Sequence, residues 1–378
     1  MNKNPKKEEI IIKILQVISG NDNGGGGNHV LNLSFYCKRK FTSVVGVLGY
    51  GELYKKGKNM KLEMIQFNRK SFRDGTILNY IKENSIDIIN FHGAKAFFMY
   101  LLLKNKLDVP AVATIHSDYK KDFLNNKIKY IFFTPLSILG VKAFKYYIGV
   151  SAYIIDTLNK DKIKGKKFLV NNGIDYDNIK IIKSREVLRE DLDIKENDFV
   201  YVNVARMHPI KNQLSLIEAF YKLKKYQENI KLVIVGDGPF RTNLEEKIKT
   251  LNLENEVKLI GFSGVPLDYV NMGDAGILTS FSEGGCPPLV LLESGVLKKT
   301  FICSNVGDMK QVLNKECGFL VDPNSVEDIY LKMKEAYDKK KDIEIMGENL
   351  YSLVKNKYSI DNFCEDYYIA YKEILSEK

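Results

Sequence analysis

Two carboxylates flank a tight turn in residues 281–294, FSEGGCPPLVLLES, which follow the apolar run AGILTS. Glu283 and Glu293 stand on either side of a Gly-Gly-Cys-Pro-Pro turn that leads into an apolar helix. Backbone N–H groups at a loop-to-helix junction can bind an anion, and carboxylates accept hydrogen bonds from hydroxyls. Phosphate-binding amides beside hydroxyl-binding carboxylates are what a nucleotide-sugar requires of a protein.

A pair of cations follows another predicted strand in the segment NVARMHPIKNQ. Arg206 ends the strand and Lys211 comes five residues later, while Pro209 keeps a helix from starting before it. Two cations at one spot would bind a diphosphate and stabilise the negative charge that develops as it leaves. The plainer interpretation is two unrelated surface cations.

Glycines and a histidine follow two further predicted strands. The run Gly24–Gly27 separates a first strand at 10–18 from the helix HVLNLSFYCKRK, so its backbone can approach a phosphate at the positive end of that helix. The alternative is a flexible loop tip. His116 directly follows the strand VPAVATI and can donate a hydrogen bond to a sugar hydroxyl or a carbonyl. Alternatively, its ring forms its hydrogen bonds within its own loop.

Several other motifs are weak. GxGxxG is only partly matched in the first glycine loop, which lacks the third glycine and the acidic residue of a dinucleotide site. The turn in VIVGDGPFRTNL has Arg241 where the third glycine would fall, so its glycines are interpreted as turn formers. The triplet DLD at 191–193 has no strand before it and is attributed to chance. No metal-ligand spacing or Ser/His/Asp order is evident.

Length and composition indicate a soluble protein of two domains. The chain has 378 residues, 45% of them hydrophobic, which is long for one core. Five scattered cysteines predict reduced thiols in a cytosol. The first apolar run is too short for a signal peptide, and the longest, 130–144, is interrupted by Pro135 and too short to span a membrane.

Charge is unevenly distributed along the chain. Residues 1–172 carry 29 Lys+Arg and 13 Asp+Glu, a net charge of +16, whereas the whole chain is +10. An anionic membrane surface, a phosphorylated lipid or nucleic acid would suit the basic half, and so would a solvated, Lys-rich surface without a partner.

Short buried strands alternate with helices along both halves. About a dozen such strands predict an α/β fold with two Rossmann-like parallel sheets, because one open sheet seldom holds so many. We expect an N-terminal domain at 1–172, a C-terminal domain at 173–358, and an amphipathic helix at about 359–378 that can pack back on the first. Ligands of such sheets bind at the carboxyl ends of the strands, here in a cleft between domains.

In order, these pieces resemble the family 4 glycosyltransferases, which have the GT-B fold. The resemblance covers nearly the whole chain and rests on NGGGGNHVLNLS, VATIHSDY, IGVSAYIIDTL, VNNGID, VARMHPIKNQLSLIEAF, LVIVGDGP, VKLIGF and the Glu-rich segment. The chain departs from the family where nine residues, not seven, separate the glutamates. It also lacks a Glu after the first glycines and has Gln311 where Glu is common.

The resemblance implies a role for each matched residue. Arg206 and Lys211 would bind the diphosphate, Glu293 the ribose, and Glu283 the donor sugar. His116 would contact the sugar. The backbone groups that would contact the sugar or the phosphate are those of Gly24, Gly25, Gly284, Gly285 and Cys286.

The hypothesis is a cytoplasmic, retaining, metal-independent glycosyltransferase that moves a hexose-type sugar from a nucleoside diphosphate to a lipid-linked or polysaccharide hydroxyl. No cofactor or nucleic acid is expected. Residues 119–133, YKKDFLNNKIKYIFF, would rest on an anionic membrane, or form a core helix with a Lys-rich outer face. Two alternatives remain: a sugar-nucleotide epimerase of the same architecture, and a non-catalytic nucleotide-sugar-binding subunit.

Overall fold

The computed structural model describes residues 12–22, 24–120 and 127–377. They form two compact units, the first of Met1–Asn171 with Asp361–Lys378 and the second of Asn172–Ile360. Each unit has its own parallel β-sheet, so the predicted α/β architecture of two Rossmann-like sheets is confirmed. Most of the stretch 119–133 that was predicted to meet a membrane lies outside the described residues or has no described side chains.

The first unit has a seven-stranded sheet in the order β3-β2-β1-β4-β5-β6-β7. All neighbouring strands are parallel, which places the carboxyl ends of all seven at one edge. The strands are β1 (Lys13–Ser19), β2 (Thr42–Leu48), β3 (Glu63–Phe67), β4 (Ile88–His92), β5 (Ala111–Ile115), β6 (Tyr146–Gly149) and β7 (Lys166–Leu169).

Seven helices accompany this sheet. They are α1 (Gly25–Tyr36), α2 (Glu52–Asn59), α3 (Thr76–Glu83), α4 (Gly93–Tyr100), α5 (Lys127–Lys142), α6 (Ala152–Lys160) and the C-terminal α15 (Ile360–Ser376). α1 begins inside the glycine run, four residues before the predicted start at His29, because the Asn28 N–H already donates to the Gly24 carbonyl. α5 continues through Pro135, which the sequence analysis had treated as an interruption.

The C-terminal helix α15 packs on the first unit and corrects the prediction about cysteines. Its buried face presents Phe363, Tyr367 and Tyr371, the aromatic side that its sequence predicted. Cys364 on this helix forms a disulfide with Cys37 at the end of α1. The prediction that all cysteines are reduced was wrong here, because the pair is separated by 327 residues and only the return of α15 brings it together.

The second unit has a six-stranded parallel sheet in the order β10-β9-β8-β11-β12-β13. The strands are β8 (Phe199–Val204), β9 (Ile230–Val235), β10 (Val257–Gly261), β11 (Ala275–Leu278), β12 (Thr300–Ser304) and β13 (Gly318–Val321). The helices are α7 (Arg185–Asp191), α8 (Gln213–Lys224), α9 (Arg241–Thr250), α10 (Pro266–Met272), α11 (Leu289–Val296), α12 (Met309–Val312), α13 (Val326–Asp338) and α14 (Ile343–Lys357).

Burial explains why these segments form strands. Central strands such as β8, FVYVNV, and β9, IKLVIV, are apolar almost throughout and buried on both faces, as is usual when helices cover both sides of a parallel sheet. Four of the polar residues singled out from the sequence follow such strands closely, namely His116, Arg206, Lys211 and Glu283. They therefore lie at the carboxyl edges of the two sheets.

Candidate functional site

The loop after β8 carries the two predicted diphosphate ligands, Arg206 and Lys211. A single 3₁₀ turn ends at Lys211, and His208 caps it because its Nδ1 accepts the Ile210 N–H at 3.2 Å. Asn212 follows in the left-handed conformation, with φ 55°, and α8 starts at the next residue. The proline-initiated turn therefore fixes the backbone between the two cations.

Lys211 forms an ion pair with Glu283, the first of the two glutamates whose spacing differs from that of the family. Lys211 Nζ lies 2.7 Å from Glu283 Oε1, and the two side chains are 23% and 12% exposed. Their loops are joined by backbone as well, since the Phe281 N–H donates to the Ile210 carbonyl at 2.9 Å. An incoming phosphate would therefore compete with a carboxylate for the Lys211 ammonium.

Arg206 is exposed, and its guanidinium has no ion pair among the residues that the structure describes. The pKa of His208 is lowered by burial and then by the charges of Arg206 and Lys211, so the three side chains are electrostatic neighbours. No role for His208 was predicted from the sequence. Its position between the two cations, on a short turn after a strand, was the available signal.

The glycines of the next loop, after β9, serve the turn and its packing, as predicted. A Cβ on Gly236, whose φ is +131°, would lie 2.1 Å from the Ala205 carbonyl oxygen. A Cβ on Gly238 would lie 2.2 Å from the Met207 carbonyl oxygen. These close approaches let the two loops share a backbone hydrogen bond, from the Met207 N–H to the Asp237 carbonyl at 3.0 Å.

The Gly-Gly-Cys-Pro-Pro turn packs on the start of the second unit. A Cβ on Gly285 would lie 2.5 Å from Nδ2 of Asn172, and that amide donates to the Pro287 carbonyl at 3.1 Å. Cys286 is buried with its Sγ 3.5 Å from Met309 Sδ, and burial raises the pKa of its thiol to about 12. The thiol thus faces the core, and only the backbone of this turn is suited to meet a ligand.

Glu293 lies in the second turn of α11, because the helix already begins after Pro288. The carboxyl is partly buried, and burial raises its pKa to about 7. Within the described part of the chain it has no hydrogen-bond or ion-pair partner. A partly desolvated carboxylate without a partner is suited to accept hydrogen bonds from ligand hydroxyls.

In the first unit, His116 lies at the carboxyl edge of the sheet beside the glycine run. A Cβ on Gly26 would lie 3.6 Å from His116 Cδ2. His116 Nε2 is 2.9 Å from Nδ1 of His92, the last residue of β4, and its ring packs edge-on against His29 with centroids 4.7 Å apart. Three histidines therefore form one cluster, although only His116 was identified from the sequence.

The glycine run begins α1 without a side-chain cap. Gly24 is extended at the N-cap, and its N–H donates to Asp22 Oδ1 at 3.1 Å. Gly25 is exposed and an added Cβ would meet no atom within 4 Å, so open space lies beside it. Asp22, to which no role was assigned from the sequence, orders this loop, since a Cβ on Gly27 would lie 1.9 Å from the Asp22 carbonyl oxygen.

Residues 12–22, 24–120 and 127–377 contain no group of His, Cys, Asp and Glu that could hold a metal ion. In the DLD triplet, Asp191 pairs with Lys183 and Asp193 has φ 54°, which fits a helix end. Nor does any helix of this described part have the length and apolarity needed to cross a membrane.

Two family models match successive parts of the chain. Residues 23–178 match the model described as Glycosyltransferase Family 4, and residues 184–353 match the model of glycosyl transferases group 1. An uncharacterized glycosyltransferase of Methanocaldococcus jannaschii is 26% identical over 258 residues, which is 63% of this chain and 63% of that protein. The chain thus spans a little under two thirds of that relative's length.

A second relative has a more specific description. The UDP-Gal:alpha-D-GlcNAc-diphosphoundecaprenol alpha-1,3-galactosyltransferase of Escherichia coli is 26% identical over 298 residues, 75% of each chain. The crystal structure of Anabaena HepE in complex with UDP and glucose has a TM-score of 0.81 at 18% identity, covering 97% of this chain and all of the other. At that identity the likeness concerns the fold.

Proposed function

Because the chain belongs to the family 4 glycosyltransferases, which have the GT-B fold, we propose that it transfers a hexose-type sugar from a nucleoside diphosphate with retention of configuration. The acceptor is a hydroxyl of a lipid-linked or polysaccharide glycan intermediate. The UDP and glucose in the Anabaena structure support the donor class. The diphosphoundecaprenol in the name of the E. coli relative supports the acceptor class.

The observation that carries the proposal is the cation pair Arg206 and Lys211 on its proline-initiated turn. The diphosphate of the donor replaces Glu283 as the partner of the Lys211 ammonium. In the structure, Lys211 Nζ lies 2.7 Å from Glu283 Oε1. Arg206 adds a second charge. The two cations stabilise the negative charge that develops on the leaving diphosphate, a role that a Lewis-acidic metal has in other transferases.

The remaining contacts follow from the chemistry of each group. Glu293 accepts hydrogen bonds from the ribose hydroxyls, and Glu283, once released by Lys211, accepts from the transferred sugar. His116 meets the same sugar. The backbone N–H groups that contact the phosphate or the sugar are those of Gly24, Gly25, Gly284, Gly285 and Cys286.

We place the working protein at an anionic membrane surface on the cytoplasmic side, as a peripheral protein. The basic charge of residues 1–172 supports this location. A surface that concentrates lipid-linked acceptors would then lie beside the half of the chain that carries the positive charge.

Thermal-shift screening of nucleotide-sugars, followed by a transfer assay, tests the proposal. A donor at about a hundredfold over its Kd stabilises by about 2.7 kcal/mol. Arg206→Ala should lower kcat by about 10²–10³-fold, the size seen when one oxyanion donor is lost. Lys249→Ala, which removes an exposed cation on α9, is the matched control and should retain wild-type kcat.

The products of this assay separate the proposal from its rivals. An isomerised nucleotide-sugar formed without acceptor would indicate an epimerase. Donor binding with no transfer to any of a broad panel of acceptors would indicate a non-catalytic binding subunit. Wild-type turnover in Arg206→Ala would remove the assigned role of the cation pair.

A further inference from the structure

Two of the clustered histidines are linked in a hydrogen-bonded chain that begins in the centre of the sheet. His92 Nε2 lies 2.8 Å from Oε1 of Gln16 on β1, and His92 Nδ1 lies 2.9 Å from His116 Nε2. Gln16 and His92 are fully buried, and His116 is partly buried. Burial lowers the pKa of His92, and that of His116 to about 4, so both rings are neutral at pH 7.

The direction of the chain is set by the Gln16 carboxamide. Its Nε2 donates to Tyr371 Oη at 3.3 Å and to Ser43 Oγ at 3.4 Å, which leaves Oε1 facing His92. A carboxamide oxygen only accepts, so the His92 proton lies on Nε2 and its Nδ1 is an acceptor. His116 must then carry its proton on Nε2, and its Nδ1 holds a lone pair.

We propose that Gln16 and His92 are positioning residues that fix the tautomer of His116, so that its Nδ1 accepts a hydrogen bond from a hydroxyl of the transferred sugar. Nδ1 has no partner among the described residues, and His116 is partly exposed. The identity of the ligand rests on the proposed function; the tautomer does not. On this proposal His116 accepts a hydrogen bond from the sugar, whereas the sequence led us to expect that it donates one.

This arrangement determines which sugars suit the site. A lone pair on a neutral ring attracts a hydroxyl proton and repels a carboxylate. The donor sugar therefore presents a hydroxyl to His116, and a hexuronic acid with its carboxylate at that position is disfavoured.

NMR of the unliganded protein labelled with ¹⁵N-histidine tests the tautomer directly. The chain has four histidines, so the long-range ¹H–¹⁵N correlation spectrum contains four ring patterns, and His116→Asn identifies that of His116. We expect the proton of His116 on Nε2. A proton on Nδ1 in the wild-type protein would overturn the inference whether or not the protein transfers sugar.

Gln16→Glu should reverse the chain. The introduced carboxyl group, if protonated, would donate to His92 Nε2, and if ionised it would hold His92 as an imidazolium. In both states His92 Nδ1–H donates to His116, whose proton moves to Nδ1. Ser43→Ala is the matched control, because it removes a different partner of Gln16 and should leave the tautomer unchanged. The same spectra report the His92 ring, and a His92 ring protonated on Nδ1 beside a His116 ring still protonated on Nε2 would overturn the positioning role. A His92 ring protonated on Nε2 alone, with His116 unchanged, would support the chain, since a carboxylate accepts from Nε2–H as the amide oxygen does.

The sugar contact is tested with UDP-glucose and its four monodeoxyfluoro analogues, since fluorine cannot donate a hydrogen bond. In the wild type, fluorine at the position that faces His116 should lower kcat/KM roughly tenfold. In Gln16→Glu the loss at that one position should shrink, while losses at the others persist. If no position responds to Gln16→Glu although the tautomer has changed, His116 does not accept from the sugar. If His116 carries its proton on Nε2 but the protein transfers no sugar at all, the proposed function is contradicted. The hydrogen-bonded chain that positions His116 would still stand.

Discussion

At the scale of single residues, the proposed function makes the Lys211–Glu283 pair the contact that sets how strongly a diphosphate is attracted. The carboxylate lies 2.7 Å from the ammonium and neutralises much of its charge before a ligand binds. Under the proposed function, exchange of this partner for phosphate would free Glu283 to accept a hydrogen bond. One ion pair would then couple phosphate binding to the availability of a carboxylate.

Glu283→Gln is expected to tighten binding of UDP by up to about fivefold, because Lys211 loses a competing partner whose interaction, being partly exposed, amounts to about 1 kcal/mol. Turnover should fall in the same variant, since a neutral amide is a poorer acceptor for the sugar. Titration calorimetry and a transfer assay measure the two effects. Glu245→Gln, which removes the partner of Arg241 on α9, is the control. Weaker UDP binding in Glu283→Gln would show that the pair organises Lys211 and does not compete for it.

Glu293 should make donor binding depend on pH. Burial raises its pKa to about 7, whereas ribose hydroxyls donate best to the ionised form, so donor binding favours loss of the proton. Affinity for UDP-glucose, whose diphosphate does not titrate in this range, should rise from pH 6 to pH 8 with release of a proton. Glu293→Gln should remove this slope. Calorimetry in buffers of different ionisation enthalpy measures the proton, and a slope retained in the variant would assign it to another group.

Without a ligand, a rise in pH has the opposite effect through Glu293: it lowers the free energy of unfolding. A carboxyl whose pKa is raised in the folded state favours folding while it is protonated. Its contribution is therefore lost as pH rises from about 4.5 to about 7. Glu293→Gln should stabilise the unliganded fold above pH 7, which chemical denaturation at two pH values would measure.

The sequence predicted residues at strand ends better than it predicted their partners. Arg206, Lys211 and His116 could be identified because each follows a buried strand closely. The pairing of Glu283 with Lys211 depends on two loops from neighbouring strands, which only the sheet order brings together. Gln16 lies within a buried strand, where the pattern indicates core and gives no sign of a polar chain.

At the scale of elements, α15 completes the polar interior of the first unit. Tyr371 Oη accepts from Gln16 and, at 2.9 Å, from Asn90 Nδ2, while Tyr367 Oη lies 2.7 Å from His29 Nε2. The helical pattern of this segment was predictable. The hydrogen bonds of its two buried hydroxyls, on Tyr367 and Tyr371, could not be predicted from the sequence, because their partners lie several hundred residues earlier in the chain.

Cys364→Ser is expected to lower the free energy of unfolding by about 2–5 kcal/mol, because the disulfide with Cys37 closes a long loop. Cys37→Ser should lower it equally, and the double variant should add nothing further. Denaturant titration measures the loss, and hydrogen exchange should show the greatest loss of protection in α15. Equal stability of oxidised wild type and Cys364→Ser would mean that packing alone holds the helix.

At the scale of the whole molecule, charge is segregated along the chain. The net charge of +16 on residues 1–172 exceeds the +10 of the entire protein, so the remainder is acidic. Such segregation can orient a protein on an anionic surface, since the basic part is attracted while the acidic part is repelled.

Flotation with vesicles tests this orientation. Binding to vesicles that contain an anionic phospholipid is expected at about 0.05 M salt and should be largely lost at about 0.5 M, where charges are screened over a few ångströms. Vesicles of zwitterionic lipid should not bind. Binding that persists at high salt would indicate insertion of apolar side chains, and no binding to any vesicle would remove the membrane from the proposed function.

The return of α15 also determines the order in which the chain can fold during synthesis. The second unit is contiguous, Asn172–Ile360, and is complete once that segment has left the ribosome. The first unit, although most of it is made earlier, lacks Tyr367 and Tyr371 until α15 emerges; Tyr371 follows its partner Gln16 by 355 positions. The sheet of the first unit is therefore expected to complete its folding after the second unit, and removal of α15 should damage that sheet.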